Sequence, residues 1–170
     1  MEASTPKQFL ALGQRTVLEH SLESLWSAMV LDGLVLVSHG HPALAALIER
    51  HYDQNLIRAD GGKERCHSVL NGLNALSDSA LADDWVLVHD AARPCVRQQD
   101  LRLLIDTLAN NAVGGLLGTP ARDTIKKADV KGVVIETVER HFLWRAYTPQ
   151  MFRYGLLREA LMKALEDGYE

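Results

Sequence analysis

The 170 residues suffice for one domain with a sizeable core, and 47% hydrophobic with 24% charged residues is an ordinary globular composition. A net charge of −4 leaves no basic footprint for nucleic acid, and no apolar run approaches the roughly 18 residues of a membrane span. Cys66 and Cys95 are too few for a disulfide framework, which fits a reducing, cytoplasmic setting, and Met1 to Pro6 lacks the apolar core of a signal peptide.

Pro6-Lys7-Gln8-Phe9-Leu10 follows a short polar segment with no strand before it. On the residues alone, Lys7 reads as a solvated charge. Thr16-Val17-Leu18-Glu19 has the form of a capping box, in which Thr16 and Glu19 satisfy orphan amides at a helix start. Leu18, Leu22, Leu25 and Met29 then recur at helical spacing, and Gly33 closes the region. Leu34 to Val37 is the first apolar strand run. Ser38-His39-Gly40-His41 carries two histidines but no nearby third ligand, and it reads as a strand-to-helix loop rather than a metal site. Pro42 suits the first turn of the next helix, with Leu44, Leu47 and Ile48 on its buried side. Asn55 to Ala59 is a short candidate strand.

Asp60-Gly61-Gly62-Lys63-Glu64-Arg65 places glycines just before a helix predicted from Cys66 to Leu76 by apolar residues at 69, 70, 73 and 76. Free amides at such a helix start favour acceptor groups, and Ser68 adds a hydroxyl to the same rim. Trp85-Val86-Leu87-Val88 is an apolar strand run that ends in His89-Asp90-Ala91-Ala92-Arg93-Pro94. In an open α/β sheet, ligands bind beyond the carboxyl ends of strands. Asp90 could hold a divalent cation there and Arg93 a phosphate; a local Asp–Arg ion pair on a surface loop is the other reading.

Leu101, Leu104, Ile105 and Leu108 mark a further helix, and Ala112 to Leu117 a further strand. The alternation predicts an α/β fold with a mainly parallel sheet. Residues 120–149 break the rhythm. Thr124 to Lys127 and Val133 to Val138 flank a turn and read as a hairpin that projects as an arm. Its exposed valines and isoleucine need a cover, which a second subunit would provide. Arg122, Lys126, Lys127 and Arg140 make the arm locally basic. Phe142, Leu143, Trp144 and Tyr147 read as the chain's return to the core, followed by a last helix through Leu156, Leu161 and Leu165.

These segments resemble the 2-C-methyl-D-erythritol 4-phosphate cytidylyltransferase family over nearly the whole chain. The match rests on Pro6-Lys7-Gln8, on Gly61 to Arg65 with Ser68 to Leu73, on Val88 to Pro94, on Arg122 to Lys126, and on Thr137 to Arg140 with Leu143-Trp144 and Thr148-Pro149-Gln150. The resemblance implies a Rossmann-like three-layer α/β nucleotidyltransferase fold, a single domain over 1–170, and residues 120–149 as a β-arm for homodimerisation. It implies transfer of CMP from CTP to methylerythritol phosphate with release of pyrophosphate, in the presence of Mg2+. In-line transfer at phosphorus needs positioning and positive charge more than an acid or base.

By resemblance, Lys7 stabilises charge on the triphosphate, and Gly62 and Ser68 recognise cytosine. Asp90 meets the magnesium ion and the substrate, and Arg93 and Thr148 line the substrate pocket. Thr124 and Arg140 reach a phosphate in the partner's site, where Arg140 positions the attacking group. The family also has an N-terminal strand with a glycine-rich loop, and C-terminal strands with a further lysine. Neither is found here, so the expectation is a portion of a longer enzyme. Another polyol phosphate acceptor such as ribitol 5-phosphate, or a non-catalytic nucleotide-binding or dimerisation module, are the competing expectations; Ala91-Ala92 favours methylerythritol phosphate.

Overall fold

The computed structural model describes residues 5–28, 31–41, 44, 47 and 56–169. The expectations placed on Met29, Pro42, Ile48 and Asn55 lie outside them. A 3-10 turn, Lys7–Phe9, leads into a hairpin of two very short strands, β1 (Ala11–Leu12) and β2 (Arg15–Thr16). Gly13 makes the turn with φ +67°, a conformation that suits glycine. Helix α1 (Val17–Trp26) then starts at the expected capping box: Glu19 N donates to Thr16 Oγ1 at 3.2 Å, and Thr16 N donates to the Glu19 carboxylate at 2.7 Å.

Strand β3 (Leu34–Ser38) pairs in parallel with β4 (Leu56–Asp60). Alternation along β3 supplies both of its faces. Leu34 and Leu36 join Phe9, Leu18, Leu22, Leu44 and Leu47 in one core cluster. Val35 and Val37 face helix α2 (Arg65–Asn74), where a Cβ on Gly72 would lie 2.8 Å from Val37 Cγ2. The missing side chain at Gly72 is what lets α2 sit this close. β3 is therefore the middle of three layers, with helices above and below.

Strand β5 (Trp85–Val88), helix α3 (Gln98–Leu108) and strand β6 (Gly114–Pro120) follow. Strand β9 (Trp144–Arg153) runs antiparallel between β5 and β6, which therefore share a direction. Leu104, Leu108 and Met151 form the second core with Trp85, Leu87, Ile105 and Leu117 around them. Arg153 lies over the Trp85 ring, 3.7 Å from its centroid, and donates to Asp83 O and Asn111 O, closing this end of the sheet. Helix α4 (Tyr154–Glu166) packs on α2, with Tyr154 Oη donating to Leu73 O at 3.1 Å and Arg158 Nε to Asn74 Oδ1 at 2.9 Å. Gln98 at the start of α3 donates to Ser27 O just beyond α1. The layers are α/β/α, as expected, with β9 as the antiparallel insertion. Among the described residues no helix is long and apolar enough to cross a membrane.

One expectation is corrected here. Phe142 and Trp144 do not return to the core: they are 89% and 63% exposed. Phe142 lies in the turn before β9, and the pairing explains Trp144. The first residues of β9, Trp144 to Ala146, pair with β6 alone, whereas Gln150 to Phe152 pair on both sides. Burial accordingly begins at Thr148. The arm forms as a separate antiparallel ladder of β7 (Ile125–Ala128) and β8 (Val134–Val138). Asp129 Oδ1 accepts from Lys131 N and Val133 N at its turn, and Gly132 has φ +82°. Val130, Val133, Val134 and Ile135 are all exposed on it.

The α1 face toward β5 carries two serines, not only leucines. Ser21 Oγ lies 2.9 Å from Ala91 O and Ser24 Oγ 3.1 Å from Pro94 O, while each also reaches the carbonyl one turn back. Ser21 is buried. Replacing it removes a donor and leaves a carbonyl without its partner, so Ser21→Ala is expected to lower stability by about 1–2 kcal/mol. Urea unfolding checks this, with the midpoint falling and the m-value unchanged.

Candidate active site

Two groups of residues meet at the carboxyl ends of the strands. The first surrounds a cleft of about 310 Å³ lined by Pro6, Gln8 and Phe9, by the end of β3 through His39 and His41, and by Gly61 and Ser68. The turn that carries Gly61 is fixed by hydrogen bonds to the backbone. Gly62 N donates to Ser68 Oγ at 2.9 Å, and Ser68 Oγ donates on to Glu64 O at 3.2 Å. Asn71 Nδ2 donates to Asp60 O at 2.9 Å, tying α2 to the end of β4. A Cβ on Gly62 would overlap the His67 side chain and lie 2.9 Å from Ser68 N. Any residue larger than glycine there would push the turn off the helix start. His39 crosses Gly61, and His41 stacks on Phe9 with ring centroids 4.0 Å apart. The histidine pair thus builds the cleft wall. Lys7 stands on the 3-10 turn between two of the lining residues, Pro6 and Gln8.

The second group gathers around Asp90, just past β5. Arg93 Nε lies 2.7 Å from Asp90 Oδ2, and Arg65 Nε lies 3.2 Å from Oδ1. The backbone of the same residue is fixed as well, since Asp90 N donates to Thr148 Oγ1 at 3.3 Å and Arg93 N to Asp90 O at 3.0 Å. Thr148 is buried on β9, so the insertion of that strand beside β5 is what delivers it. The structure therefore unites Asp90, Arg93 and Thr148, and it also unites Gly62 and Ser68. Helix α2 joins the groups, because Ser68 and Arg65 share its first turn.

Arg65 was not picked out as a site residue in the sequence. Its partner is 25 positions away, which no local spacing shows. Ser21 and Ser24 were missed for the same reason. Tyr147 was read as a core residue; it is half-buried, and its hydroxyl lies 3.2 Å from Thr119 Oγ1. That hydrogen bond, aided by Arg145 and Arg93, draws the phenol below its usual range.

Thr124 and Arg140 sit together at the base of the arm, on either side of the Ile125–Val138 pair. Arg140 Nη1 donates to Arg122 O, and Arg145 pairs with Asp123. On the arm itself, Lys126 donates to Thr137 Oγ1 at 2.6 Å and Lys127 pairs with Glu136 at 3.2 Å. Among the described residues, no hydrogen bond or ion pair joins Thr124 or Arg140 to Asp90, Arg93 or Thr148.

A family model for 2-C-methyl-D-erythritol 4-phosphate cytidylyltransferase matches residues 1–170. The chain belongs to this family. A member from Pseudomonas syringae pv. tomato (strain ATCC BAA-871 / DC3000), named 2-C-methyl-D-erythritol 4-phosphate cytidylyltransferase, is 52% identical over 167 residues. The alignment covers 97% of this chain and 70% of that protein. The namesake protein of Hahella chejuensis (strain KCTC 2396) is 46% identical over 168 residues, covering 99% and 70%. A crystal structure of 4-diphosphocytidyl-2C-methyl-D-erythritol synthase superposes with a TM-score of 0.82 at 39% identity, covering 92% of this chain and 75% of that one. The Francisella tularensis 2-C-methyl-D-erythritol 4-phosphate cytidylyltransferase gives 0.79 at 29% identity, covering 96% and 73%. The family resemblance and the α/β nucleotidyltransferase fold read from the sequence are thereby borne out.

Within the family's His-Asp-Ala-Ala-Arg-Pro stretch, His89 has a structural part. Its Nε2 donates to Arg93 O at 3.0 Å, while Nδ1 is buried without a hydrogen-bond partner among the described residues. Burial holds its pKa below the ordinary histidine value, although the Arg93 carbonyl and Asp90 pull the other way. The folded state therefore resists protonation more than the unfolded chain does. Stability is full above an unfolded pKa of about 6.5 and declines as pH falls from there toward the depressed folded value. Urea midpoints compared at neutral and mildly acidic pH should show this loss in the native protein and a smaller one in His89→Gln. An equal loss in both would mean that His89 does not titrate in this way.

Proposed function

We propose that this chain works as its family name says, transferring CMP from CTP to 2-C-methyl-D-erythritol 4-phosphate, and that the two groups of residues divide the task. The single observation that carries the reading is the Asp90 cluster, held at the end of β5 beside the glycine turn of Gly62 and Ser68. Gly62 and Ser68 take the cytosine end of CTP. Arg93 and Thr148 take the acceptor. A phosphate oxygen of the acceptor forms the new bond to the α-phosphorus of CTP, the bond from that phosphorus to the bridging oxygen of the β-phosphate breaks, and pyrophosphate leaves with that electron pair. Charge accumulates on oxygen throughout, and Lys7 and Arg93 offset it. The cluster has no nucleophile–base pair, and the step requires none.

Mg2+ is proposed at Asp90. Among the described residues there is no group of three or more His, Cys, Asp or Glu side chains fit to cage a metal. A lone carboxylate nevertheless suits this ion, which typically takes one or two carboxylates and completes its shell with water and substrate phosphate oxygens. When bound, it would supply Lewis-acid charge to the triphosphate. The protein's own share is to aim the Asp90 carboxylate, which the Arg65 and Arg93 guanidiniums do, while the Thr148 hydroxyl holds the Asp90 backbone by accepting from its amide.

The working form is proposed to be a homodimer. Val130, Val133, Val134 and Ile135 leave apolar surface exposed on the arm, and Phe142 and Trp144 are exposed as well. Among the described residues, Thr124 and Arg140 make no hydrogen bond or ion pair with this chain's own Asp90 cluster, which leaves them free to serve a second subunit. A cytoplasmic setting suits the free thiols of Cys66 and Cys95.

Pyrophosphate release from CTP and Mg2+ tests the reaction: turnover is expected with methylerythritol phosphate and not with ribitol 5-phosphate, and the reverse would overturn the acceptor. Asp90→Ala and Arg140→Ala should each lose about 10²–10³-fold in kcat. Mixed after dissociation, the two inactive proteins should recover roughly a quarter of native activity, because half of the dimers are mixed and each has one intact site. No recovery would mean that the arm serves its own subunit.

A further inference from the structure

We infer that Arg65 is a positioning residue for the transfer, holding Asp90 from the same helical turn that carries the base-binding Ser68. This rests on the reading of Asp90 given above and extends it to a residue that has no assigned part.

The local physics of α2 disfavours an arginine at this place. Arg65 is the first residue of the helix, where the macrodipole is positive and a cation is repelled. No acidic residue lies in that first turn, and Glu64 at the N-cap makes no side-chain capping bond. Arg65 thus has no acidic partner within the helix's own first turn. Its compensation comes from outside the helix, as Nε reaches Asp90 Oδ1 at 3.2 Å.

Stability does not account for the pair. The Arg65 side chain is 55% exposed, and an ion pair this open contributes little to folding. What the pair does is geometric. Arg93 already occupies Oδ2 at 2.7 Å from within the loop, and Arg65 takes the other oxygen from across the site. The carboxylate plane is then fixed by two groups on different elements. Arg65 and Ser68 are three residues apart on one helix face, so the hold on Asp90 is set by the same turn that receives Gly62 N. Any displacement of that turn when the base binds is passed to the acid. Arg65 acts through Asp90 and not on the reacting atoms, so its loss should affect the acceptor step more than capture of CTP.

The test is a double-mutant cycle on the full-length enzyme with Arg65→Gln and Asp90→Ala, and with Arg65→Lys as a second variant. Kinetics with CTP and methylerythritol phosphate are paired with metal-free calorimetry of methylerythritol phosphate. Arg65→Gln should lower kcat about ten-fold or more with KM for CTP nearly unchanged, as expected for a partner one step removed from the chemistry. Arg65→Lys should recover part of that loss, because it keeps the charge but lacks the planar fork. The weakening of acceptor binding by Arg65→Gln should vanish in the Asp90→Ala background. A native kcat in Arg65→Gln, or an equal effect with and without Asp90, would overturn the proposal. Full activity in Asp90→Ala alone would instead remove the reading on which it stands.

Discussion

Everything at this site depends on how the Asp90 carboxylate is held. One oxygen faces Arg93 and the other Arg65, while the backbone amide of the same residue is fixed on Thr148. An acid placed between two guanidiniums keeps one orientation. That is the geometry proposed to meet a cation and a phosphate together. Each neighbour comes from a different part of the chain: Arg93 from the loop itself, Arg65 from α2, and Thr148 from β9. The carboxylate is held this way only when the loop, α2 and β9 are assembled.

The rest of the fold can be read as support for that placement. Ser21 and Ser24 spend two polar positions of α1 on the carbonyls of Ala91 and Pro94, so the loop is held by hydrogen bonds on its inner side. Gly72 lets α2 approach β3, and Gly62 lets the preceding turn fold over the start of α2. The two glycines act at opposite ends of one helix. Together they fix its height above the sheet and hence the reach of Arg65. His89, half-buried beside Asp90, closes the loop by donating to Arg93 O, and its burial lowers its pKa.

Much of this was legible in the sequence, and the reason differs by element. The capping box at Thr16 and Glu19, the strands at 34 and 134, and the apolar stripe of α2 are local patterns, fixed by propensity and period, and they form where expected. The β1–β2 hairpin was invisible because strands of two residues have no period to detect. Strand β9 was misjudged because it is exposed over its first half and sandwiched over its second, so aromatic content at 142 and 144 pointed inward when those residues face out. Asp90 and Arg93 stood out as an acid and a base at the end of an apolar run. Arg65, Ser21 and Ser24 did not, since their partners are 25 to 70 residues away and only the fold brings them together.

The central claim is that the turn proposed to bind the base and the Asp90 cluster form one coupled site through α2. The most direct measurement is the calorimetric affinity for methylerythritol phosphate in EDTA, without metal, in the absence and presence of saturating CTP. Coupling through the shared turn predicts that CTP tightens acceptor binding by about five-fold or more, with the reciprocal effect of the acceptor on CTP. Equal affinities with and without CTP would contradict the account and would make the two clusters independent neighbours.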